Sequence, residues 1–120
     1  MTDQPVDLDA ALDGIAEPFD PRITAKVNDY DVKIAKVEGP YVWHAHPETD
    51  EFFLVLSGRL TIELDGRPAV RLGPHEVFTV PRGLRHLPSG APGTRVLMFE
   101  PRETLNSGDS GAAGTTGRPL

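Results

Sequence analysis

The sequence predicts an all-β domain of short antiparallel strands, a sandwich or a barrel, and three observations carry that reading. Twelve Gly and twelve Pro make up a fifth of the 120 residues, well above the ~12% usual for the two together. Such punctuation disfavours long helices and favours many short segments joined by tight turns. Apolar residues alternate with polar ones through most of the middle of the chain, the period of a strand with one buried face. Eight or nine such segments, separated by turn signals, fit into roughly 80 residues, the spacing expected of a sandwich or barrel.

Taken in order, residues 1–20 form an acidic arm. Leu8, Leu12 and Ile15 fall at i, i+4 and i+7, with Asp7 as a cap and Gly14 near the end. This predicts a short helix over about 8–16 whose apolar stripe docks on the body or on a second subunit. Residues 21–104 form the body. Ile23, Ala25 and Val27 alternate, and Asn28-Asp29-Tyr30 turns the chain into Val32–Val37. Phe52 to Leu56 is a continuous apolar run of five residues, as in a strand buried on both faces. It passes through Ser57-Gly58 into the alternating Leu60, Ile62 and Leu64, and Asp65-Gly66 follows as a hairpin turn. Val70–Leu72, Val77–Val80 and Val96–Phe99 complete the strands. Residues 105–120 hold four Gly among small polar residues and alanine and read as a flexible tail.

The formal charge of −6 is local. Residues 1–20 contain six acidic and no basic side chains, whereas 21–104 hold eleven of each. A neutral body has no basic stripe for a phosphate backbone, so nucleic-acid binding is not expected. No apolar run approaches the about 20 residues of a membrane-spanning helix. The amino terminus lacks the basic and apolar regions of a secretory leader. A soluble, cytoplasmic protein is the expectation. There are no cysteines, which removes disulfides, thiolate metal sites and cysteine nucleophiles; any metal must be held by His, Asp or Glu.

The chemistry is concentrated in two stretches. In Trp43-His44-Ala45-His46-Pro47, an extended chain over 41–46 puts His44 and His46 on one face. Pro47 breaks that strand, and Glu51 opens the next, antiparallel to it, within reach of both imidazoles. Two nitrogens and a carboxylate converging on one point make a transition-metal site. In Pro81-Arg82-Gly83-Leu84-Arg85-His86, Pro and Gly make a tight turn and His86 begins the next strand as a possible fourth ligand. His75, in the Gly73-Pro74-His75 turn, reads most simply as a surface residue, with a catalytic role as the sharper alternative.

These residues resemble the small single-domain cupins. His44-Ala45-His46, four residues, Glu51, six residues and Gly58 follow the family's first motif, although Gly39 stands one residue too close to His44. Pro81-Arg82-Gly83 and His86 follow the second motif. There His75 takes the opening Gly position and Gly90 the closing Asn position. The resemblance covers residues from about 22 to 100. It implies a compact antiparallel jelly-roll β-barrel with one divalent transition metal (Fe, Mn, Ni, Co, Zn or Cu) on His44, His46, Glu51 and His86. It also implies a homodimer, for which the arm is a candidate crossing segment.

Alternation from Glu51 places Phe53 and Val55 on the site face, and alternation from His44 places Val42 there. Phe78 and Phe99 are further pocket candidates. Trp43 points away, towards packing or a subunit contact. Arg82 and Arg85 flank the His86 turn, either as exposed turn residues or as partners for a substrate carboxylate or phosphate. Two functions compete. One is a metal-dependent enzyme on a small organic metabolite, a dioxygenase or a Lewis-acid isomerase, cyclase or lyase, with Glu51 and His75 as candidate catalytic groups. The other is a non-catalytic binding module that captures a small molecule through the metal.

Overall fold

The structure, a computed structural model, describes residues 4–120. The first three residues of the arm, including Asp3, lie outside the described residues. One helix and ten strands follow in order: α1 (Leu8–Asp13), β1 (Arg22–Val27), β2 (Tyr30–Lys36), β3 (Gly39–Pro40), β4 (Glu51–Ser57), β5 (Leu60–Leu64), β6 (Arg67–Leu72), β7 (Val77–Val80), β8 (His86–Gly90), β9 (Arg95–Pro101) and β10 (Arg118–Pro119). No described helix is long and apolar enough to cross a membrane.

The strands form two sheets. One has six strands in the order β10-β1-β2-β9-β4-β7, the other four in the order β3-β8-β5-β6. Their facing sides meet in one core: Ala35, Phe53, Val55, Val80, Val96 and Met98 from the larger sheet against Leu60, Ile62, Leu64 and Leu72 from the smaller. Period-two alternation builds this layer, since Phe53/Val55, Leu60/Ile62/Leu64 and Val96/Met98 each point one way from their strands.

The expected jelly-roll barrel is not formed. The sheets are not closed into one: each keeps two open edges, β10 and β7 in the larger, β3 and β6 in the smaller. The reason lies partly in residues 41–46, expected as a strand beside β4. Over 41–46 only a single bridge forms, between His44 and His86, just after the two-residue β3; Pro40 and Pro47 bracket the segment, and a proline offers no donor to a ladder. The bridge is to the start of β8 in the smaller sheet, whereas β4 pairs with β7 and β9 in the larger. Alternation looks the same in an open sandwich and a closed barrel, so the sequence pattern does not distinguish them.

The arm and the carboxy-terminal segment both pack on this body. Asp7 caps α1, its carboxylate accepting from Ala10 N–H at 3.2 Å. Leu12 and Ile15 are buried against Ile34, with Leu56 and Leu97 beside them, on the outer face of the larger sheet. The anticipated stripe therefore docks on its own chain. Residues 105–120, expected to be flexible, are instead held by backbone pairing. Asn106 N–H donates to Thr115 O at 3.0 Å, β10 runs parallel to β1, and Ser107 is fully buried. Small residues permit this close path, since a Cβ on Gly114 would lie 2.7 Å from Asn106 Oδ1 and 2.8 Å from Ser107 Cβ.

Candidate metal centre

Three histidines meet where the sheets gape. The backbone groups of His44 and His86 exchange two hydrogen bonds, at 3.0 and 2.8 Å, and Gly83 N–H donates to His46 O at 3.0 Å. The Pro81–Leu84 turn that aims His86 closes with Leu84 N–H on Pro81 O at 3.2 Å. It uses a positive φ of 79° at Gly83, which costs a glycine little. Asp50 ties the turn to the start of β4 by accepting from Arg82 N–H at 2.9 Å. The result is a buried group, His44, His46 and His86, whose candidate ligand atoms all lie within 4.8 Å of one another.

The ring orientations are fixed from behind. His44 Nδ1 lies 2.8 Å from Val42 O, and His86 Nδ1 lies 2.9 Å from Leu84 O. A carbonyl only accepts, so both Nδ1 atoms carry the proton, and each neutral ring turns a bare Nε2 inward. Burial lowers the pKa of all three histidines, His86 to about 4. Neutral imidazoles are the form a metal takes.

Glu51 enters from the opposite sheet, its Oε2 3.4 Å from His46 Nε2. Behind it lie two residues that sequence reasoning missed, Lys33 and Glu100, only 1% and 2% exposed. Lys33 Nζ is 2.9 Å from Glu100 Oε1 and donates to Thr104 O at 3.2 Å. Burial, followed by the charge of Glu51, pushes Glu100 up to about 8, and burial also raises Glu51. A signal existed: Glu100 continues the Val96, Met98 alternation and Lys33 precedes Ala35 by two. Once β2 and β9 are phased, both charges fall on the inner face.

Among the residues expected to line a pocket, Phe53 does so. It borders a cavity of about 40 Å³ beside His44 and Glu51, walled also by Phe19, Tyr41, Met98 and Asn106. Tyr41 stands edge-on to His44 and is stacked on Phe19. Val55 lies deeper in the core, and Phe78 packs against that core. Val42 serves through its carbonyl. Phe99 packs at a tilt against exposed Tyr30, on the side of β9 opposite Met98 and Glu100. Arg82 pairs with Asp50 at 3.4 Å, and the Arg85 guanidinium lies over Trp43 at 5.6 Å. His75 is exposed in its turn and is not among the three clustered histidines.

Residues 31–99 match the family described as Cupin domain. The chain belongs to the cupin family. A cupin-2 domain containing protein from Shewanella frigidimarina NCIMB 400 has a crystal structure similar to this one. The TM-score is 0.77 at 33% identity, covering 81% of this chain and 94% of that one. Uncharacterized protein YdbB of Bacillus subtilis is 37% identical over 62 residues, 52% of this chain; the chain matches 55% of that relative's length. Hydroquinone 1,2-dioxygenase from Sphingomonas sp. TTNP3, with 4-hydroxybenzoate bound, shares the fold at a TM-score of 0.76 and 19% identity, over 82% of this chain and 32% of that one.

Two departures from the cupin motifs now have physical accounts. His75 sits in the left-handed region, φ 69°, which explains a glycine preference there. At Gly90 a Cβ would fall 1.9 Å from Val37 O, so no side chain fits on this backbone.

Proposed function

We propose that this cupin is a metal-dependent enzyme acting on a small, largely apolar organic molecule, with His44, His46, His86 and Glu51 as the protein ligands of one divalent transition ion. The observation that carries the reading is a set of orphaned atoms. His46 Nε2, His86 Nε2 and Glu51 Oε2 are buried without a hydrogen-bond partner, and each such atom costs on the order of 1–3 kcal/mol. An ion between them would remove that cost. The 3.4 Å between His46 Nε2 and Glu51 Oε2 suits two atoms that each sit ~2.0–2.2 Å from a shared ion. Imidazole and carboxylate together fit Fe, Mn, Ni, Co, Zn or Cu. Such an ion would supply Lewis acidity or redox chemistry with O₂.

The chain's own residues supply the rest. Phe19, Tyr41, Phe53 and Met98 exclude water and favour an apolar or aromatic group beside His44. The cavity of about 40 Å³ holds a water or two, whereas ~150 Å³ accommodates a benzene ring. A substrate therefore enters by displacing part of the wall. Glu100, held by Lys33 Nζ at 2.9 Å behind Glu51 and with its pKa pushed up by burial to about 8, is a further acid–base candidate beside His75.

Elemental analysis of the purified protein and of His46→Ala and Glu51→Ala tests this. Stoichiometric metal in the parent and none in the variants is expected; full occupancy in both variants overturns the ligand set. Substrate screening, begun with small phenols such as 4-hydroxybenzoate, then separates the chemistries. Iron with substrate-dependent O₂ uptake identifies a dioxygenase. Turnover on zinc, nickel or manganese without uptake identifies a Lewis-acid isomerase, cyclase or lyase. Metal-dependent binding without turnover identifies a non-catalytic binding module.

A further inference from the structure

Ala45 separates the two clustered histidines of the 44–46 segment, and its backbone is the weak point of the site. In an antiparallel bridge, alternate residues direct their N–H and C=O groups to opposite sides. His44 spends its pair on His86. Ala45 therefore directs its pair away from the smaller sheet, into the gap where a closed barrel would offer another strand. Ala45 is buried, so these groups need partners. One residue supplies both: Asp109 Oδ1 accepts from Ala45 N–H at 2.7 Å, and Asp109 N–H donates to Ala45 O at 3.0 Å. The approach depends on Gly108, where a Cβ would lie 2.4 Å from Ala45 O and 2.9 Å from His44 Cδ2. Gly108 also has a φ of 54°, in the left-handed region that favours glycine.

We propose that Asp109 is a positioning residue of the metal centre: it takes the place of the missing strand and fixes the spacing of His44 and His46 through the backbone of Ala45. This inference rests on the metal-binding reading above. It assigns a role to a segment outside the residues that match the family, 31–99.

The full chain, stripped with chelator and reloaded with Co(II) alone, gives the test. Affinity is read by chelator competition, and ligand geometry by the visible Co(II) spectrum. Asp109→Ala should weaken Co(II) binding about 10-fold or more, as loss of outer partners does at metal sites, and should alter the spectrum. Asp109→Asn keeps the oxygen acceptor and should stay within about threefold of the parent, with its spectrum. Arg118→Ala breaks an exposed tail contact, to Asp20 at 2.8 Å, without touching Ala45, and should bind as the parent does. Unchanged affinity and spectrum in Asp109→Ala overturn the inference. So does an equal loss in Arg118→Ala, which would make tail docking in general the cause. Equal loss in Asp109→Asn would assign the effect to charge and overturn it too. If the parent itself takes up no Co(II), the metal reading falls and this inference falls with it.

Discussion

Lys33 and Ile34 are adjacent in β2 and almost equally buried, at 1% and 0% exposure, yet their side chains enter opposite environments. Ile34 faces outward under Leu12 and Ile15 of the arm, in a purely apolar contact. Lys33 faces inward to Glu100, behind Glu51 and the histidines. Burial on the outer face has only a stabilising consequence, because every atom there is satisfied by packing. Burial on the inner face leaves polar atoms of His46, His86, Glu51 and Glu100 without partners. One strand thus separates a small, purely apolar contact from a face where the main core and unpartnered polar atoms lie side by side.

The sharpest way to break this contrast is Lys33→Met. Removing the cation leaves Glu51 and Glu100 facing each other in the interior and should cost about 3–5 kcal/mol, read from denaturant midpoints, together with a loss of bound metal. A cost under about 1 kcal/mol, typical of an exposed ion pair, would mean that the inner charges are not a unit. Leu12→Ala on the outer face should cost about 2–5 kcal/mol while metal content per folded molecule stays that of the parent. Loss of metal in that variant would show that the two faces are coupled.

A smaller effect separates the faces by pH. Burial holds His86 at about 4, against an ordinary 6.5. Without metal it stays neutral in the fold while the unfolded chain takes up a proton. The unfolded state therefore binds more protons as pH falls from 6.5 towards 4, and the fold loses stability across that window, on the order of 2 kcal/mol. Chelator-treated His86→Asn should lose less stability than the parent between pH 7 and 5. Leu12→Ala should show the parent's slope.

Most of the strands were legible because their signals are local: β5 falls where Leu60–Leu64 alternate, and β7 spans the short apolar segment Val77–Val80. The histidines were legible because their spacing is short and the chain offers only four. Three things were hidden. Sheet closure depends on whether edges meet, which no local pattern records. The inward turn of Lys33 and Glu100 depends on strand phase, and a charged residue in an alternating strand is ordinarily assigned to solvent. The docking of the glycine-rich segment after Leu105 depends on shape, since small residues look featureless in sequence but let a backbone approach Ala45 closely.

The open edges bear on solubility. An unpaired strand edge is a template for another chain, and proline blunts it because it cannot donate to a new ladder. Three of the four edge strands carry one: Pro119 in β10, Pro40 in β3 and Pro68 in β6. The fourth, β7, is only four residues long and is followed at once by Pro81. Part of the unusual proline content therefore guards a sandwich that never closed against adding strands from its neighbours.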